Sequence, residues 1–247
     1  MNSNEMNGDQ GEMHASLGLD TMDRDLANLF LSLHSSDLYQ RVSVERVDRP
    51  VLRLAQREWL RGMIFYQASY RDAARAATSM LPQGMEAKVL RSLQRLNAEI
   101  QDHGEMALRD YRACGGPVGS ATNQQPSPAV YAVSSVWSLV AKEGEPFSIL
   151  GALYAADLTT RWVMEFLFDD DSACDRESAK RLDLPRFWRR HGLRRSLVER
   201  AVLQKVALND PMSWKWIHCG VERILQVYPL PICEEIGRGL LKDAGRN

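Results

Sequence analysis

Between Val51 and Met80 the chain repeats apolar or small residues at the spacing of one helical face: Leu60, Ile64, Gln67, Tyr70, Ala74 and Ala77. The run is long and alanine-rich, and Pro82 stops it, so the spacing predicts an extended amphipathic helix that needs other elements to cover its stripe. The rest of the chain carries the same signal. A helix is expected from about Asp23 through LANLFLSLHSSDLYQR, and a second long one from about Gly84 to Cys114. Leu93, Leu96, Ile100, His103, Ala107 and Tyr111 share one side of that second helix, and Gly115 and Gly116 end it. Further helices are expected over Ala129 to Lys142, Phe147 to Phe168, Pro185 to about Leu208, Pro211 to Val227, and Leu230 to about Lys242. Nowhere do β-branched residues alternate over more than a few positions. The fold class is therefore all-α, a single helical bundle of about seven or eight helices, with no internal repeat.

Composition sets the outer bounds. A chain of 247 residues that is 45% hydrophobic and 26% charged can bury a full core. Residues 1–20 are polar and without periodicity, so they are expected to form a disordered tail ahead of one domain over 21–247. A net charge of −1 gives no global positive field, which argues against a nucleic-acid partner. Cys114, Cys174, Cys219 and Cys233 show no CxxC spacing, which fits reduced thiols in a cytoplasmic protein rather than a zinc ribbon or disulfide framework. No secretory leader and no membrane span is evident.

Chemistry could sit where polar residues interrupt apolar stripes. Glu99 and His103, in NAEIQDHGE, stand four apart and so project from one side of a helix, the local geometry that holds metal ions inside bundles. A surface glutamate beside a hydrogen-bonded core histidine explains them more simply, since one Glu-x-x-x-His is a weak signal by itself. Asp157, in GALYAADLTTRW, shares its face with Leu150, Leu153, Tyr154, Arg161 and Met164, and once desolvated must find a cation or several donors. Arg161, one turn on, would serve as well as a metal. His191, in RFWRRHGLRR, aligns with Phe187 and Val198. Asp72 and His218 are weaker candidates, and His14 and His34 are discounted. The aromatics Tyr66, Tyr70, Trp137, Tyr154, Trp162 and Trp188 are expected to fill the core. There is no phosphate loop, GxSxG elbow or HExxH.

The segment AEIQDHGEMALRDYRACGGPVGSATNQQPSPAVYAVSSV, together with ILGALYAADLTTRW and FWRRH, resembles the haem-oxygenase-like superfamily over roughly Val51 to Val227. That group includes thiaminase-II-like proteins, pyrroloquinoline-quinone synthase and non-haem di-iron oxidases and oxygenases. Where its di-iron members carry a glutamate after Leu-Tyr, this chain has Asp157, and where they continue past the histidine with an aspartate and another histidine, it has Arg195 and Val198. Gly104 stands about where a further histidine would be expected. Arg194 and Arg195 would repel a dication unless an anion intervened.

The resemblance implies an iron-dependent oxidase or oxygenase of a biosynthetic pathway, using dioxygen on a small-molecule substrate. Glu99, His103, Asp157, His191 and Asp72 would hold about one or two Fe(II) ions. The alternative it implies is a metal-free member: a thiaminase-II-like hydrolase, a cofactorless oxidase or a small-molecule-binding relative. Arg161, Arg190 and Arg195 would then hold a carboxylate or phosphate. Haem ligation by one histidine and a purely interacting role are weaker readings. The resemblance also implies a homodimer.

Overall fold

The computed structural model describes residue 18 and residues 21–44, 49–81, 87–117, 119, 125–168, 182–210 and 212–244. Among these there is no strand. The helices are α1 (21–34), α2 (Asp37–Val44), α3 (Arg49–Ser79), α4 (Ala87–Ile100), α5 (His103–Ala113), α6 (Pro128–Glu143), α7 (Pro146–Leu167), α8 (Asp183–Asn209), α9 (Ser213–Leu225) and α10 (Leu230–Ala244). The expected polar tail and the acidic connector 169–181 lie outside the described residues, apart from Gly18.

Helix α7 is the axis of the bundle. Its sequence, PFSILGALYAADLTTRWVMEFL, is apolar or small nearly all round, the pattern of a helix covered on several sides, and from Ser148 to Asp157 every residue is buried. It packs chiefly on α9 and α8 and then on α3, while α3 also carries α6 and α5. The α7–α9 contact is close because both helices lack a side chain where they cross. A Cβ on Gly220 would lie 1.8 Å from the Ser148 carbonyl oxygen, and one on Gly151 would lie 2.2 Å from that of Ile217.

Two expected helices are each divided. Instead of one helix through LHSSDLYQR, the chain turns at Ser35–Ser36, where Ser36 Oγ donates to the Leu33 carbonyl at 2.6 Å and accepts from the Tyr39 amide at 3.3 Å. Serine is suited to this because its hydroxyl can replace a backbone partner. Similarly, Gly84 to Cys114 is not continuous: it breaks at Gln101–Asp102. Gln67, reaching across from α3, donates its side-chain amide to the Ile100 carbonyl at 3.3 Å, satisfying an acceptor at the end of α4. Glu99 and His103 therefore belong to different helices.

Helix α8 begins at Asp183, two residues before the expected proline. Asp110 on α5 accepts from the backbone amides of Asp183 at 2.9 Å and Leu184 at 2.7 Å, so its carboxylate caps α8 from another element. This bond fixes where α8 starts and therefore where Arg195, three turns on, meets α7. Among the described residues no helix is long and apolar enough to cross a membrane.

Candidate functional site

The guanidinium of Arg195 lies at the centre of the bundle, its residue 0% exposed. Helix α7 supplies Asp157, whose Oδ2 accepts from Arg195 Nη2 at 2.5 Å and Nε at 3.1 Å. Helix α4 supplies the Leu96 carbonyl and Glu99 Oε2, which accept from Nη1 at 3.0 and 3.2 Å. Glu199, one turn along α8, accepts from Nη2 at 3.4 Å. A guanidinium has five N–H groups, and these five contacts use the full complement. Trp188 lies below, its ring centroid 5.9 Å from the guanidinium carbon.

The other oxygen of Asp157 accepts a short hydrogen bond from the Tyr70 hydroxyl on α3. Burial by itself would raise the pKa of Asp157, but the charge of Arg195 and the hydrogen bonds from Glu199 and Tyr70 outweigh it and hold the group ionised, below its ordinary value. Burial first, and the charge of Asp157 second, push the Glu199 carboxyl well above the carboxylate range. Burial likewise raises the Tyr70 phenol, with Asp157 adding to the effect. The result is one buried cation matched by an ionised Asp157, with the raised Glu199 carboxyl beside them and Glu99 at the solvent edge. Arg194 holds Glu99 from outside at 2.6 Å.

Beside this cluster lies a small cavity lined by Tyr66, Tyr70, His103, Trp137, Asp157 and Tyr228 among others. It leaves about 10 Å³ for the centre of a water molecule, room for a single water. His103 is 1% exposed and its Nε2 has no hydrogen-bond partner. Its ring packs edge-on against Phe187 at 4.6 Å and beside Trp188 at 5.6 Å. Burial, helped by the charge of Arg195, lowers its pKa to about 3, so the imidazole is neutral at physiological pH. The Tyr228 hydroxyl bonds Thr160 Oγ1 at 2.5 Å and accepts from Tyr66 at 3.3 Å, giving the far wall a chain of hydroxyls.

Among the described residues the expected iron ligands do not meet at one point. Among the described residues no three His, Cys, Asp or Glu side chains are placed to hold an ion. Glu99 and Asp157 do converge, but on the Arg195 guanidinium, which fills the space and supplies the positive charge. His103 faces the adjoining cavity. His191 is half-buried against Phe187 at 5.1 Å, and Asp72 is exposed on α3, 3.9 Å from Arg75. The donor set present does not fit iron.

Two further expectations change. The partner of Asp157 is Arg195 and not Arg161, whose Nε pairs with Glu165 at 2.7 Å. Arg195 and Arg161 are thus engaged by the protein's own carboxylates rather than left open to an anion. Glu199 was not a candidate from the sequence, although its place one turn beyond Arg195 on an apolar-striped helix is a usable signal. Tyr66, Tyr70, Trp137, Tyr154 and Trp188 are buried as expected, whereas Trp162 is only half-buried.

Neither a protein-family model nor a curated protein sequence matches the chain. Among solved structures, the chain is similar to a domain of unknown function with a heme oxygenase-like fold from Shewanella denitrificans OS217. The TM-score is 0.63 at 14% identity, covering 92% of this chain and 93% of that one. It is also similar to a TenA homolog from Pseudomonas syringae pv. tomato DC3000, with a TM-score of 0.57 at 12% identity over 85% of this chain and 93% of that one. The chain has the haem-oxygenase-like fold.

Proposed function

We propose that the protein is a metal-free member of the haem-oxygenase-like group that holds a small planar molecule in its central cavity. The observation that carries this reading is Arg195: a fixed cation stands among the carboxylates from α4, α7 and α8. The TenA homolog of the same fold supports looking first at a thiaminase-II-like reading, with an aromatic or charged small molecule as the ligand. The cavity would offer an aromatic ring the faces of Trp137 and Trp188, the free Nε2 of neutral His103, and the hydroxyls of Tyr66 and Tyr228. Because the space takes only one water, a ring must displace side chains as it enters, so binding would be coupled to a rearrangement.

The lining favours non-covalent action. No cysteine is among the cavity's described residues. Cys114 is half-buried with its thiol pushed up to about 11 by burial and then by Asp110, which suits a packed thiol rather than a nucleophile. Asp157 would act on the ligand as a fixed hydrogen-bond acceptor, with Tyr70, Glu199 and Arg195 holding it ionised and in place.

The test is a titration of the protein with small amino-substituted heterocycles, read by tryptophan emission in parallel with thermal shift. Saturable quenching is expected with at least one of them, reduced by Trp137→Phe and weakened about tenfold by His103→Ala. Chelation should leave both the midpoint and the binding unchanged. A chelator-sensitive midpoint would sink the metal-free reading and restore the iron-dependent oxidase, which needs Arg195 to leave its present position.

A further inference from the structure

On the far side of α7 from the central cavity, five aromatic rings from three helices surround a second opening of about 200 Å³. Thr160 lines the central cavity, and Trp162, two residues on, points about 200° away from it. Trp162 meets Phe30 of α1 edge-on at 5.0 Å, and Phe30 meets His34 at 4.0 Å. His34 in turn meets Tyr39 of α2 at 4.2 Å, and Tyr39 meets Phe166 at 5.4 Å, one turn from Trp162 on α7. The four interplanar angles run from 51° to 69°, so the rings do not stack flat but form facets of a concave wall. The break between α1 and α2 makes this possible, and Gln40 fastens the corner by donating to the His34 carbonyl at 2.8 Å. His34 is itself oriented by Nδ1 bonding the Phe30 carbonyl at 2.8 Å. Glu165 completes the lining as its one carboxylate and is paired with Arg161 at 2.7 Å.

We propose that this opening is a binding site for a small N-methylated ammonium ion of the size of tetramethylammonium or choline. Aromatic faces attract cations through their quadrupoles, Trp most strongly, and a cage of several rings is the arrangement that recognises quaternary ammonium. A primary ammonium would lose hydrogen-bonded water on entry that these walls replace poorly, whereas a methylated one carries its charge on a weakly hydrated surface. At about 200 Å³ the opening has room for such an ion. The site is independent of the central cavity.

The test uses the full-length protein at constant ionic strength, titrated with tetramethylammonium, with choline, and with 3,3-dimethylbutan-1-ol, the uncharged isostere of choline. Binding is read by saturation-transfer NMR on the ligand methyl groups. Saturable binding of both cations is expected, with the neutral isostere roughly 3- to 30-fold weaker. Phe30→Leu, a substitution at a residue 37% exposed, keeps the bulk but removes a ring, and should weaken cation binding several-fold with an unchanged thermal midpoint. Trp162→Leu should weaken it further. The proposal is overturned if neither cation saturates, if the isostere binds as well as choline, or if Phe30→Leu binds choline like the parent protein.

Discussion

On its α9 side, α7 sets Gly151 against the Ile217 carbonyl and its own Ser148 carbonyl against Gly220; on its α8 side it sets Asp157 against Arg195. The first seam excludes side chains so that two backbones can touch, and dispersion holds it. The second brings ionisable groups into the core, where attraction must offset the cost of removing them from water. A steric seam is damaged by anything added. An ionic seam is damaged by removing one partner, but it can be relieved by removing both. The α8 side is thus poor evidence for stability as such, and its ions are better read as fixing the position and charge of the cavity wall.

That contrast can be broken by mutation, with the largest effect at the ionic seam. Arg195→Met leaves the Asp157 carboxyl buried without the cation that offsets its desolvation, and should cost roughly 3–5 kcal/mol in denaturant unfolding. Adding Asp157→Asn, which removes the charge but keeps an acceptor for Tyr70, should recover most of it. A double variant no more stable than Arg195→Met alone would show that the loss was one of packing.

At the steric seam Gly220→Ala should cost about 3 kcal/mol, since the obstructing atom is a backbone carbonyl that cannot rotate away. No charge change on α8 should relieve it, and a loss under 1 kcal/mol, about the scale of a surface substitution, would mean that the helices slide apart cheaply.

Acid sharpens the same comparison. Above pH 6.5, the ordinary value, His103 is neutral in both folded and unfolded chains and contributes no pH dependence. Between 6.5 and about 3 the unfolded chain binds a proton there that the folded one refuses, so stability is lost as the pH is lowered, by up to roughly 1.4 kcal/mol per unit. His103→Leu should flatten unfolding midpoints measured from pH 6.5 to 4.5 by that slope, and identical slopes in the two proteins would contradict a buried neutral imidazole. The smallest effect belongs to the rim. Arg194→Ala removes a pair whose side chains are 44% and 20% exposed, and should change stability by about 0.5 kcal/mol, fading with added salt.

Much of this architecture could be read in the sequence, because its cause is periodic: the Leu60–Ala77 stripe of α3 and the apolar run of α7 both describe what covers them. The two helix breaks could not, since at Gln101–Asp102 the carbonyl is satisfied by Gln67, 33 residues earlier. The start of α8 escaped for the same reason, its cap being Asp110 on another helix. At the site, the clash between Arg195 and any dication was visible from the residue types alone. Its resolution was not, because it depends on Glu99, Asp157 and Glu199 arriving from three helices at one guanidinium. Trp162 shows the converse limit: helical spacing marks an aromatic as packed without saying whether it is the core or a surface opening that it packs around.

The most direct test of a centre whose charge is closed by Arg195 is to reconstitute the purified protein anaerobically with Fe(II), desalt it and measure iron by elemental analysis. The account predicts iron far below one equivalent, unchanged in His103→Ala and His191→Ala. About one or two equivalents, lost in either variant, would contradict it.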